Sequence, residues 1–242
     1  MMQVYRNITK LFLSPKCIFK SIPAAGVKSF EPPPYYDDIE IPQRTRLKVA
    51  QKVPQYGGNV VPYRTQKRLR LMRGPELYHN TLLHKQYGII ATGGGRLKHN
   101  NFEMIRMTLL RKVDYNKVFA IWRVPDPWQP ITKKGQGTRM GGGKGSIDHY
   151  VTPVKAGQVI IEVAGKAEYY EVKYVLNNIA KRLPFDAMAV SQEIMEKMAE
   201  KKRKLEEENL NPYTWKYIIQ NNMLGSHYWI SKYDRRWFNE YV

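Results

Sequence analysis

The chain has 242 residues, with 40 Lys+Arg against 21 Asp+Glu, for a formal charge of +19. A hydrophobic content of 43% can furnish a packed core and excludes a disordered polyelectrolyte, while so large a cationic excess calls for a polyanionic partner. No stretch approaches the roughly eighteen apolar residues of a bilayer span, and the lone Cys17 excludes an internal disulfide framework.

Residues 1–30 hold Arg6, Lys10, Lys16, Lys20 and Lys28 and no acid, with Val4, Ile8, Leu11 and Phe12 at helical spacing among them. A basic, acid-free amphipathic start reads as an organelle transit peptide, or else as a basic arm that binds its partner directly. Residues 31–56 read as an extended strap. They open on Glu31, three prolines (Pro32, Pro33, Pro34), Asp37, Asp38 and Glu40, and such prolines favour an extended segment laid on a neighbour.

The sign then reverses. Residues 43–98 contain twelve bases and one acid, Glu76. Arg64, Lys67, Arg68, Arg70 and Arg73 all fall between Pro62 and Gly74, and Arg96 and Lys98 follow a glycine run at 93–95. One carboxylate cannot neutralise such a cluster. Backbone phosphates would, with release of counterions; the alternative is a solvated charged face.

Residues 57–190 read as an α+β core. Tyr87–Thr92 is β-rich, and Asn100 or Asn101 is placed to cap a helix reaching about Arg111, with Phe102, Ile105 and Leu109 on one face. Lys117–Val124 reads as a strand stopped by Pro125 and Pro127. "DHYVTPV" and "QVIIEVAG" read as two strands joined by a hairpin turn at Lys155-Ala156-Gly157. Between Glu168 and Lys181, Val172, Val175, Leu176 and Ile179 recur at helical spacing, with Leu183 beyond, and "FDAMAV" supplies a last strand. The spacing predicts a two-layer α/β sandwich, with helices packed on one face of a mainly antiparallel sheet.

Residues 191–242 form a C-terminal extension. Ser191 is placed to cap an exposed helix with only Ile194, Met198 and Leu205 as an apolar stripe and Glu193/Lys197 and Glu200/Lys204 as i,i+4 pairs. An aromatic tail follows, with Trp215, Tyr217, Tyr228, Trp229, Tyr233, Trp237 and Phe238, expected to pack on the body or on a protein neighbour.

The segment "KKGQGTRMGGGKGSID" carries six glycines from Gly135 to Gly145, with Lys133, Lys134, Arg139 and Lys144. Clustered glycine lets main chain come very close to something, and amide N–H groups with a few cations can then meet phosphate oxygens. The nucleotide P-loop pattern fails, because Thr138 stands where its first glycine belongs and Gly145 follows Lys144. Dinucleotide patterns fail at Ser146 and Lys98. His79, His84, His99, His149 and His227 show no metal-ligand spacing, so no catalytic, metal or cofactor site is expected.

"RMGGGKGS" followed by "HYVTPVKAGQVIIEVAG" resembles the signature of the large-ribosomal-subunit protein family conventionally numbered sixteen. In its bacterial members an Arg-Met-Gly-Lys-Gly-Lys-Gly loop leads into an aromatic strand, a turn and a second strand. "PYRTQKRLRLMRG", "GIIATGGGRLKHNNFEMIRM" and "AEYYEVKYVLNNIAKRLPF" resemble that family's basic N-terminal segment, its strand, glycine turn and first helix, and its second helix. The resemblance runs in order from about Pro62 to Val190. It implies a non-enzymatic structural protein on large-subunit ribosomal RNA, with the glycine loop reaching toward the peptidyl-transferase region and aminoacyl-site transfer RNA.

That implication attaches to Arg139, Met140, Gly141, Gly143, Lys144 and Gly145 in the loop, and to Arg64, Thr65, Arg68, Arg96 and Leu97 elsewhere. Gly142 and Gly94 depart from it, since bacterial members usually carry Lys and Arg there. The added segments resemble those of mitochondrial ribosomal proteins. They imply a place in the mitochondrial matrix, on the mitochondrial ribosome, with neighbouring ribosomal proteins contacting the extensions and no membrane insertion. A nucleotide-binding enzyme and a general basic nucleic-acid-binding protein are the competing classes. The first lacks its motifs, and the second leaves the ordered resemblance unexplained.

Overall fold

The computed structural model describes residues 39–58, 60, 64 and 68–241. The transit-peptide or basic-arm segment 1–30, the proline run of the strap, and the candidate contacts Thr65 and Lys67 lie outside the described residues. The described elements are β1 (Tyr87–Ala91), β2 (Gly95–Lys98), α1 (His99–Lys112), β3 (Val118–Trp122) and β4 (Gln129–Lys133). There follow β5 (Ser146–Val154), β6 (Val159–Gly165), α2 (Tyr169–Ala180) and β7 (Ala187–Ser191). The extension adds α3 (Gln192–Glu207), α4 (Trp215–Gln220), α5 (Ser226–Trp229) and α6 (Lys232–Trp237).

The fold is α+β, and every pairing between these strands is antiparallel. Phe102, Ile105 and Leu109 are buried along α1, as their spacing predicts, and α2 buries Val172, Val175, Leu176, Ile179 and Ala180. Both stripes pack against Ile89, Ala91, Val118, Ala120, Ile161, Val163 and Ala189, which share one face of a sheet ordered β3-β6-β1-β7. Each large aliphatic or aromatic side chain so buried contributes about 1.5–3 kcal/mol, which is what fixes the helices to that face.

Three local expectations change. The strands form two sheets, the second ordered β2-β5-β4. β5 and β6 are therefore not a hairpin. Residues 155–158 carry the chain from one sheet to the other, so that Val154 pairs with Gly95 while Val159 pairs with Ile90. The crossing is locked to β1, where Gly157 N–H donates to Ala91 O at 2.7 Å and Ala91 N–H donates to Gln158 O at 2.9 Å. A turn signal specifies reversal of the chain, but partner choice is made by the rest of the sheet.

The start of α1 also differs. β2 runs directly into the helix, Lys98 occupies the cap position with extended backbone and no side-chain cap, and Asn100 and Asn101 lie inside the first turn. Finally, β2 and β4 were not legible as strands. β2 emerges from a glycine run, and β4 contains Pro130, tolerated because β4 is an edge strand and needs no donor on its open side.

Ser191 caps α3 as expected, its Oγ accepting the Ile194 N–H at 3.3 Å, and α3 buries none of its residues. The edge of β3 is covered by the strap range. Ala120 N–H donates to Thr45 O at 3.1 Å, Trp122 Nε1 donates to Lys48 O at 2.8 Å, and Leu47 and Ala50 are buried in the core cluster. A covered edge cannot recruit a foreign strand.

Candidate nucleic-acid interface

β4 and β5 form a long hairpin whose last pair is Lys133 with Ser146, so the glycine segment is its tip. The hairpin closes there for a steric reason. A Cβ on Gly145 would lie 2.5 Å from Lys133 O and 2.9 Å from Lys134 N, so only glycine lets the two arms meet. Beyond that pinch, Lys133, Lys134, Arg139, Met140, Gly141, Gly143 and Lys144 are all exposed, and Met140 reaches 99%. Gly141 (φ 89°) and Gly143 (φ 75°) take left-handed backbone, closed by a Gly143 N–H to Gly141 O bond of 2.8 Å.

The fold joins this tip to the basic segment eighty positions earlier. Arg64 Nη1 donates to the Lys144 carbonyl at 3.0 Å, and Lys144 Nζ donates back to the Arg64 carbonyl. Each cation spends hydrogen bonds on the other's main chain, where their like charges would otherwise push the segments apart. Arg68 and Arg70 are exposed around a short 3-10 turn at Leu69–Leu71, whereas Arg73 is half-buried, its Nη1 3.8 Å from Asp234 Oδ1 of α6. The following glycine run packs on this turn. A Cβ on Gly94 would lie 2.1 Å from Met72 O. Arg96 and Lys98 then sit on β2, paired with Pro153 and Val151 of β5, and Arg96 Nε is buried with no hydrogen bond among the described residues. Leu97, between them, is fully buried and serves the core.

Sequence reasoning missed the root of the hairpin. A cavity of about 580 Å³ opens there between Lys52, Lys98, His99, Asp148, His149 and Tyr150. Its residues come from three distant segments, so no local pattern announces it. The hydrogen bond from His149 (2.7 Å) holds the Asp148 carboxyl below the usual carboxylate range, with Lys133 and Lys98 acting in the same direction. The carboxylate therefore stays charged beside these bases. Among the described residues no group of three or more His, Cys, Asp or Glu is placed to hold a metal ion, and no helix is long and apolar enough to cross a membrane.

The two glycines that stand where the resemblance implies cations differ in kind. At Gly94 the Met72 carbonyl excludes any side chain. At Gly142 a Cβ would make ordinary contacts, 3.6 Å from Arg139 O and 3.7 Å from Thr138 Cγ2. Gly142→Lys is therefore expected to fold normally and to steepen the salt dependence of RNA binding by about one unit of log–log slope. A binding titration in which this variant matches the parent at every salt concentration would place the tip away from phosphate.

What results is two cationic segments and a side-chain-poor tip, braced together on a rigid sheet. Residues 59–190, more than half of the chain, match the family model described as ribosomal protein L16p/L10e.

Proposed function

Because the chain belongs to the ribosomal protein L16p/L10e family, whose members are structural ribosomal proteins that bind ribosomal RNA, we propose that it serves the large subunit of the mitochondrial ribosome. In this reading residues 57–190 are the RNA-binding core. The tip carrying Arg139, Met140, Gly141, Gly143, Lys144 and Gly145 lies near the peptidyl-transferase region and touches aminoacyl-site transfer RNA transiently. Arg64, Arg68, Arg70, Lys133 and Lys134 meet phosphates beside it, with Arg96 and Lys98 completing the surface; Thr65 and Lys67 are assigned to the same RNA contact from the sequence alone.

The observation that carries the proposal is the reciprocal Arg64–Lys144 pair, which makes one surface of two segments. A-form RNA hides its base edges in a deep groove, so such a surface grips by charge and shape. Arginine suits the task, since its planar fork matches phosphate. The main chain of the tip supplies close approach, and no bond is made or broken by these side chains. The mitochondrial assignment is supported by the acid-free basic start at 1–30 and by the segments added outside the family match. Residues 31–56 and 191–242 then meet neighbouring ribosomal proteins.

The test is co-sedimentation from lysed, purified mitochondria. The chain is expected to remain with the large ribosomal particle through a high-salt wash, and a chain found free at the top of the gradient would refute the assignment. Arg139→Ala with Lys144→Ala is expected to leave the fold intact but to lower the yield of mature large subunits or transfer-RNA accommodation several-fold. Normal translation in that double variant would remove the tip from the account.

A further inference from the structure

The family match ends at residue 190, immediately before the Ser191 cap, so α3 to α6 are additions to the matched body. The last of them folds back to the other end of the match. Gly74 has φ 90°, and a Cβ there would lie 2.5 Å from Trp237 Nε1 and 2.8 Å from Trp237 Cε2, so the indole of α6 covers this α-carbon. One residue earlier, Arg73 pairs with Asp234 at 3.8 Å. Beyond Trp237 the chain turns sharply through Phe238 (φ 52°) and Asn239 (φ 56°), two consecutive non-glycine residues in left-handed backbone. Such conformations persist only where surrounding contacts over-determine them. Here the Asn239 N–H donates to Asp234 O at 3.0 Å, and Glu240 pairs with Lys202 of α3.

The Arg68–Arg73 turn needs such support. Its 3-10 segment is three residues long, has no side-chain cap and buries none of its residues, so it cannot hold its own shape. On its far side Glu76 N–H donates to Ala156 O at 2.9 Å, and Pro75 bridges Ala156. The turn is therefore gripped between the sheet crossing at 155–158 and the tail.

We infer that the C-terminal extension is an intramolecular clamp, with Trp237 and Asp234 as positioning residues that hold Arg68 and Arg70 ready for RNA phosphates. In this role Arg73 anchors the tail instead of meeting a phosphate. A pre-shaped turn binds more tightly because less ordering remains to be done on association. The inference rests on the proposed RNA contact of this turn, and two separable readouts test it in the full-length chain.

The first readout is amide hydrogen exchange of residues 68–76 without RNA. Trp237→Ala is expected to speed it about tenfold or more while amides of β1 and β6 keep their protection. Trp237→Phe should restore most of the loss, and Asp234→Ala, which removes a half-buried carboxylate 3.8 Å from Arg73 and no packed ring, should give a smaller rise. Should Trp237→Ala unfold the whole chain, Asp234→Ala still decides. Unchanged exchange at 68–76 in these variants overturns the clamp.

The second readout is affinity for a large-subunit rRNA fragment across a salt series. Trp237→Ala is expected to weaken binding about three- to tenfold with an unchanged log–log salt slope, because the phosphate contacts remain and only their ordering is lost. Faster exchange with unchanged affinity overturns the positioning role. Arg68→Ala with Arg70→Ala should instead flatten the slope by about two units without altering exchange. If that pair changes nothing, the RNA reading of the turn fails, while the exchange result still decides the clamp.

Discussion

Raising the salt from about 50 to about 200 mM is expected to weaken binding of the full chain to large-subunit rRNA by roughly three to five decades. The size follows from counting phosphates. Six to ten neutralised phosphates release a comparable number of condensed counterions, and that release becomes less favourable as bulk salt rises. Arg64, Arg68, Arg70, Lys133, Lys134 and Arg139 are all exposed and belong to the two segments that the Arg64–Lys144 pair braces together. Single alanine replacements of Arg68 or Arg139 should each flatten the slope by about one unit. A filter-binding or fluorescence titration with a flat slope would remove phosphate neutralisation as the principal term. The +19 charge would then need another partner.

Replacing Glu162 with Ala is expected to destabilise the fold by about 3–5 kcal/mol, because a buried pair would lose one member. Glu162 lies in β6 with a side chain 0% exposed, on the face of the sheet turned away from α1 and α2. Its Oε1 accepts the His84 N–H, and its Oε2 lies 3.7 Å from Arg123 Nε, whose side chain is 14% exposed. The truncation would leave an almost buried guanidinium without its counterion and a main-chain donor without its acceptor. In a chain of this size the loss corresponds to a melting temperature lower by about 6–20 °C. Glu162→Gln keeps an oxygen for His84 and should fall between the two. A thermal melt in which Glu162→Ala matches the parent would show that this carboxylate stabilises nothing.

Glu162 also marks the limit of what a sequence conveys. In "QVIIEVAG" it is the one charged residue, yet every residue of β6 is buried. The far face of the sheet is closed by the loop before β1, where His84 stacks edge-on to Phe119 at 5.0 Å and His79 O accepts the Val159 N–H. No pattern in that loop announces a covering layer. Helices α1, α2 and α3 were legible because their evidence is local, whereas the short α4, α5 and α6 of the aromatic tail were not. Phe102, Ile105 and Leu109 repeat along a single helical stripe, and Ser191 sits three residues before the N–H it caps. The candidate site was half legible. Its cations and glycines stand out as composition, whereas the Arg73–Asp234 contact and the cavity at the hairpin root join segments far apart in the chain.

From the residues alone came the excess of positive charge and its placement, the glycine-rich tip, the buried stripes of α1 and α2, and the ribosomal family. Each is a property of neighbours in the chain, set by side-chain chemistry and the period of the backbone. The tertiary structure alone decided that the strands part into two sheets, that Lys144 meets Arg64, and that Trp237 closes over Gly74. Those outcomes depend on which distant surfaces fit once the core has formed, and turn signals and propensities carry no information about the partner across such a gap.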